Sequence, residues 1–291
     1  RTGIPSVSVY GRNKKPSAAQ LQDIDVVIFD IQDVGARFYT FISTMHYVME
    51  ACAENGIPLI ILDRPNPNGN YVDGPILEPA FSSFVGMHPI PVVHGLTMGE
   101  LAGMINGEKW LRDEVQCDVT VIPCKNYTHA DNYALPVKPS PNLPNDHTIR
   151  IYPSTCFFEG TVISEGRGTL HPFEVFGHPD LPGDYSFVPR SIEGMEMHPK
   201  FKGDTCYGKD LRNYVPDAGW NQIELKWLLE AYAAFPDKQQ FFKPFFDLLA
   251  GTDALKKQII NGWSEQEIRR SWQSDLASYK QMREKYLLYA D

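Results

Sequence analysis

The chain has 291 residues, 43% of them hydrophobic and 22% charged, with a formal net charge of −9. That length buries a core without disulfide or metal staples and fits about two domains. The acidic balance argues against a nucleic-acid or anionic-membrane binder, since both call for a basic face, and no run of ~18 apolar residues is present to span a bilayer.

Residues 7–10 read as a short strand-like piece. Residues 24–31 form an apolar run ending in polar residues, which predicts a strand buried on both faces of a parallel sheet. After the turn at 32–37, Phe38, Phe41, Ile42, Met45, Val48, Met49 and Cys52 recur at helical spacing, and Asn55-Gly56 closes that helix. Residues 57–62 predict the next strand, joined by a right-handed crossover. A loop follows from Asp63 to Pro75, of a length that usually carries function. Thr97 and Glu100 form a capping box for a helix through Ile105, and residues 118–122 predict another strand. The stretch 136–156 is rich in Pro, Asn and Ser and reads as a domain hinge. Beyond it, a strand is expected at 155–163, then Pro- and Gly-rich loops, then helices from about Ile223 onward. Leu276, Tyr279, Met282, Tyr286 and Leu287 keep helical spacing there. Five cysteines without a CxxC pair argue against a zinc ribbon or disulfide scaffold and for free thiols.

In open parallel sheets, ligands bind beyond the carboxyl ends of the strands. The first such end delivers Asp30, Gln32, Asp33, Arg37, Tyr39 and Thr40; the second delivers Asp63, Arg64, Asn66, Asn68 and Asp73. Carboxylates placed there serve as acids, bases or hydroxyl acceptors, or else cap helices and order turns, as Asp33 and Asp63 could. A third group is Phe157-Phe158-Glu159-Gly160-Thr161 with Ser164-Glu165-Gly166-Arg167-Gly168-Thr169. Glycines flanking Arg167 let backbone approach a ligand, and the guanidinium fork suits a carboxylate or phosphate. His94, after the apolar stretch 90–93, reads as a pocket residue or a packed loop histidine. GxGxxG, the P-loop, GxSxG and HExxH are absent. The residues alone therefore point to a hydrolase or related enzyme acting on a polyhydroxylated, anionic small substrate, with Glu159 and Glu165 the first glutamates to test.

The stretches 30–40, 62–69, 139–144, 158–161 and 165–169, with the tail 249–252 through 286–289, resemble the exo-acting β-N-acetylmuramidases of the NamZ type. The resemblance runs in order over nearly the whole chain. It implies an α/β architecture: a Rossmann-like parallel-sheet domain over 1–140, lacking its first strand here, and a smaller α/β domain with C-terminal helices over 141–291, with the active site in the cleft between them. It implies removal of terminal non-reducing N-acetylmuramic acid from peptidoglycan fragments, and export to the periplasm or cell exterior. It implies no cofactor and no metal; the partners are muropeptides or disaccharides. Family members carry a further segment ahead of the part matching Arg1, with a glutamate expected to be the catalytic acid. Glu159, Glu165 or Asp30 would then orient the substrate acetamido group or activate water. Arg37, Arg64 or Arg167 would hold the lactyl carboxylate, and Asp33, Tyr39, Asp63, Asn66, His94 and Thr169 would complete the binding surface. Two rival readings are a muropeptide-binding protein without catalysis and a nucleotide-using transferase. The second calls for a glycine-rich first turn, and residues 32–37 contain only Gly35.

Overall fold

The computed structural model describes residues 3–4, 6–9, 11 and 13–291. In chain order the elements are α1 Ala18–Leu21, β1 Val27–Phe29, α2 Phe41–Asn55, β2 Leu59–Leu62, α3 Met98–Gly107, β3 Val119–Ile122, α4 Asp146–Thr155, β4 Val175–His178, β5 Tyr185–Phe187, β6 Cys206–Asp210, α5 Lys226–Ala234, α6 Phe245–Ala250, α7 Ala254–Ile260, α8 Glu265–Ser271 and α9 Gln273–Glu284. They make two α/β domains. The first holds a parallel sheet in the order β1-β2-β3, with Ile28 opposite Ile60 and Ile60 opposite Thr120. The second holds an antiparallel sheet in the order β4-β6-β5.

The first β-α-β unit follows its sequence pattern. Gly56 ends α2 in the left-handed conformation, φ 65°, with its N–H returned to the Ala53 and Cys52 carbonyls. Thr97 and Glu100 cap α3 reciprocally, as expected. Three expectations need correction. Residues 7–9 form no strand, and Tyr10 lies outside the described residues. β1 spans only three residues and is not buried on both faces: Ile28 is 58% exposed, because α2 and α3 cover the opposite side of the sheet. The stretch 155–163 is no strand either. Asn145 accepts a hydrogen bond from the Thr148 N–H at 2.8 Å and starts α4, which runs on into a 3-10 turn at Cys156–Gly160. That cap turns half of the supposed hinge into helix.

The second sheet was invisible to pattern reasoning because its strands pair through glycine. Gly177 stands opposite Gly208, and a Cβ on Gly208 would come within 2.0 Å of the Phe176 carbonyl oxygen. Close backbone approach, not apolar alternation, selects the residue there.

The chain's end returns to the first domain. Tyr279 on α9 belongs to the core around β2, α2 and α3. Its hydroxyl donates to the His94 carbonyl at 2.7 Å, and Arg283 donates to the Gly95 carbonyl at 2.7 Å. A division of the sequence near residue 140 therefore does not coincide with a division of the packing. Among the described residues no helix is long and apolar enough to cross a membrane, and all five cysteines are free thiols.

A buried histidine pair braces α2. His46 Nδ1 lies 3.0 Å from His88 Nε2, and His46 Nε2 lies 3.1 Å from Glu50 Oε1. The His88 ring stacks on Trp110 at 5.5 Å. Burial pulls His46 below its ordinary pKa and pushes His88 well below it, with the neighbouring histidines opposing a charge on His88 as well. The folded protein keeps these rings neutral while the unfolded chain protonates them near 6.5. Stability is thus retained above 6.5 and lost as pH falls below it, by up to ~1.4 kcal/mol per pH unit for each such histidine. Urea unfolding at a series of pH values below 6.5 should show a shallower decline for His88→Phe than for the parent; identical slopes would exclude this origin.

Candidate active site

The carboxyl ends of β1 and β2 meet through side chains. Arg64 Nε donates to Asp30 Oδ1 at 2.7 Å, and its Nη2 lies 2.6 Å from the same oxygen. Both side chains remain open to solvent, 42% exposed for Arg64 and 46% for Asp30. The Gln32 amide donates to the Asp33 and Pro65 carbonyls at 2.8 and 2.9 Å, tying the two loops together.

Asp33 turns inward. Its Oδ2 accepts from the Gly35 N–H at 2.7 Å and faces His94 Nε2 at 3.5 Å. The Leu96 N–H donates to His94 Nδ1 at 3.2 Å, so in the neutral ring the proton sits on Nε2, toward Asp33. Asp33 Oδ1 and His94 Nε2 are buried without a hydrogen-bond partner. The tight turn between them needs its glycine: Gly35 has φ +75°, and a Cβ there would lie 2.2 Å from Asn66 Oδ1. The Tyr39 hydroxyl donates to the Pro139 carbonyl at 2.9 Å, and burial, with Asp33 nearby, raises its pKa, so it stays a neutral donor.

Four expected ligand-binding residues are committed elsewhere. Arg37 is fully buried; its Nη1 donates to the Pro75 and Ile90 carbonyls at 2.8 and 2.6 Å, and its Nη2 to those of Leu249 and Ala250 at 3.0 and 2.7 Å. No donor on either terminal nitrogen is left for a substrate carboxylate. Asp63 is a strut: Oδ1 accepts from the N–H groups of Arg64 and Gly99, and Oδ2 from the hydroxyls of Thr97 and Tyr289. Asn66 donates to the Leu96 carbonyl and accepts from the Asn68 N–H at 2.9 Å each. The Thr169 hydroxyl closes its own turn on the Gly166 carbonyl at 2.7 Å. Each was marked by type and position in a strand-end or glycine-flanked loop, and such loops need internal braces as much as they need ligands.

The glutamates come together. Arg167 Nη2 lies 2.7 Å from Glu159 Oε1, while its Nε lies 3.3 Å from that oxygen and 3.5 Å from Glu165 Oε1. The guanidinium also rides over the Phe173 ring at 5.0 Å. Glu165 is 3% exposed, whereas the Glu159 side chain is 22% exposed. Burial raises the pKa of Glu159 against the pull of Arg167, and the Glu165 charge adds to the rise. Burial opposes the charge on Arg167, but the two glutamates more than offset it and raise its pKa. The result is a partly open carboxylate, more easily protonated than usual, coupled through one cation to a closed one.

Aromatic rings join this cluster to the first domain. Tyr152 on α4 packs edge-on to Tyr39 at 6.2 Å and to Phe173 at 4.9 Å. Tyr152 thus bridges the loop after β1, at Tyr39, to the ring beneath Arg167. A separate groove of about 460 Å³, between Leu77 and the stretch from Trp272 into α9 with Tyr279, includes none of these glutamates.

Known proteins match this arrangement along its whole length. The family described as "Exo-beta-N-acetylmuramidase NamZ, N-terminal" matches residues 1–147, and its C-terminal counterpart matches residues 150–289. The chain belongs to the NamZ family. The peptidoglycan β-N-acetylmuramidase NamZ of Bacillus subtilis is 41% identical over 99% of this chain and 73% of its own length. A crystal structure of a DUF1343 family protein from Bacteroides fragilis superposes with a TM-score of 0.95 at 51% identity, covering 100% of this chain and 81% of that one. A second from the same organism gives 0.83 at 30% identity, covering 99% and 81%. Membership in the NamZ family supports glycoside hydrolysis as the general class of activity.

In this NamZ-family chain, sequence reasoning missed Lys200. Its ammonium lies 2.9 Å from Glu165 Oε2 and donates to the carbonyls of Phe158 and Ile163 at 2.9 and 2.8 Å, and of Thr161 at 3.2 Å. One cation thereby fixes the segment bearing both glutamates. Nothing in His198-Pro199-Lys200 marks that role, because the partners are backbone oxygens far back in the chain. Tyr152 is missed too, because the stretch 136–156 reads as a hinge and the helix that presents the ring is seen only in the structure.

Proposed function

We propose that this chain is an exported, exo-acting β-N-acetylmuramidase, which hydrolyses terminal N-acetylmuramic acid from the non-reducing end of peptidoglycan fragments. The observation that carries the reading is the match of both halves of one family to consecutive stretches of this chain. The pairing of Glu159 and Glu165 on Arg167 adds chemical support. Glycoside hydrolysis breaks the bond between the anomeric carbon and the leaving oxygen, gives that oxygen a proton and places a water oxygen on the carbon. Most such enzymes use two carboxyl groups and no cofactor. Glu159, half-open and raised in pKa, is suited to move the proton. Glu165, closed and held by Lys200, is suited to orient the acetamido group or the water. Of the three arginines expected to meet the lactyl carboxylate, Arg64 is the most open to solvent, though paired with Asp30; Arg37 is spent on carbonyls and Arg167 on glutamates. A charge-assisted contact of that kind contributes roughly 1.5–3 kcal/mol.

The test is a pair of chromogenic β-glycosides, one of N-acetylmuramic acid and one of N-acetylglucosamine. The muramic substrate should release chromophore with a kcat/KM at least about tenfold higher, the equivalent of the lower end of that contact. Equal cleavage of both would remove the carboxylate from the recognition scheme. Binding without release from either would make the protein a muropeptide receptor instead.

A further inference from the structure

The helix that presents Tyr152 to the glutamates carries a second arginine on its other side. Residues two apart on an α-helix point roughly 200° away from each other, so Arg150 faces away from the glutamate cluster. It is 8% exposed. Its Nη1 donates to Asn70 Oδ1 at 3.2 Å, and its Nη2 to Asn132 Oδ1. Neither partner is charged, and among the described residues no carboxylate forms an ion pair with it. Asp146, one turn earlier, is felt only at longer range, and its Oδ1 already accepts from the Leu135 N–H at 3.1 Å. Burial accordingly pulls the Arg150 guanidinium below its ordinary pKa.

A buried guanidinium without a counter-ion is costly, and proteins normally pair it. Arg150 instead lines an open cavity of about 240 Å³ with Asn132, Tyr133, His147, Trp220 and Asp146, whose carboxylate is held by the Leu135 N–H rather than by Arg150. The cavity is built. The Asn70 amide donates to the Trp220 carbonyl at 2.7 Å, the indole packs edge-on to His147 at 5.7 Å, and His147 Nε2 is held 2.8 Å from the Leu211 carbonyl. The volume lies below the ~300–1,000 Å³ of pockets that enclose a whole ligand, which fits one end of a larger molecule.

We propose that this cavity binds the terminal carboxylate of a short peptide, with Arg150 as its counter-ion and the residue bearing the carboxylate laid against Trp220. A phosphate fits less well, because one arginine beside Asp146, in a chain of net charge −9, does not balance a dianion. The asparagine oxygens hold the fork in place and leave its remaining N–H groups for the ligand. The site is separate from the glutamates, so it stands or falls independently of the glycosidase reading.

The experiment is a titration of the full chain with N-acetyl-alanyl-alanine and with its C-terminal amide, followed by isothermal calorimetry or amide chemical shifts. The acid should bind at least roughly tenfold tighter than the amide, and Arg150→Gln should abolish that difference. Equal binding of acid and amide, no saturable binding of the acid, or an unchanged preference in R150Q would each overturn the site. A ligand-free readout distinguishes recognition from structure. Asn70 and Asn132 are exposed and can turn to water, so Arg150→Met should keep or raise the melting temperature. A lower melting temperature would make Arg150 a structural residue and overturn the proposal.

Discussion

Glu165→Gln should give a folded protein whose kcat on a muramic-acid glycoside is about 10²–10⁴-fold lower, the usual worth of a positioned carboxyl group. The substitution keeps the shape of the side chain and removes its charge. The backbone carbonyls that also hold Lys200 remain in place, so the segment bearing Glu159 and Glu165 should not come apart. The second consequence is a shift in the pH profile. Glu165 raises the pKa of Glu159 by like-charge repulsion; with that charge gone, Glu159 should titrate at lower pH. Whichever limb of the kcat/KM profile reports Glu159 should move to lower pH in E165Q. A variant that merely loosened the fold would lose activity without that displacement. Activity within tenfold of the parent would remove Glu165 from the chemistry.

The parts of this molecule legible in the sequence are those governed by local physics. The helical spacing from Phe41 to Cys52, the left-handed Gly56 and the Thr97–Glu100 box each depend on residues within a few positions. The wrong strand at 155–163 shows the limit of that locality. Its apolar run fits either state, and the deciding hydrogen bond comes from Asn145, outside the run. The second sheet lay further out of reach, since the one glycine facing a glycine across β4 and β6 leaves no periodic signal.

The site divides in the same way. Position past a strand marks Asp30 and Arg64, and a glycine-flanked arginine marks Glu159, Glu165 and Arg167; the fold joins them into a pair and a cluster. The same criteria marked Asp63, Asn66 and Arg37, which brace the loops. A polar side chain in such a loop serves substrate or backbone according to how many carbonyls and N–H groups the loop leaves without partners. That number depends on packing between distant segments, such as Gly251 against Leu77 and Glu78, and no window of sequence contains it.

Arg37 and Arg150 are both buried and, among the described residues, both lack a carboxylate partner, yet replacing them should have opposite effects. Arg37→Met should destabilise the fold by roughly 3–5 kcal/mol. Burial pushes the Arg37 guanidinium down to about 9, so relieving the buried charge favours the variant. Against it stand the carbonyls of Pro75, Ile90, Leu249 and Ala250. Among the described residues only Ile90 of these has a second donor, the Leu77 N–H at 3.2 Å. The other three lose their partner where water does not reach, at about 1–3 kcal/mol each, and the sum exceeds the gain. Two of them end α6 in the second domain and two belong to loops of the first, so the loss should also loosen the contact between domains. Arg37→Lys, with three donors on one nitrogen in place of a fork, should recover part of the stability and not all of it. Urea unfolding of the parent, R37K and R37M checks the order. If R37M unfolds within 1 kcal/mol of the parent, the four carbonyls find other partners and Arg37 does not hold the two domains together.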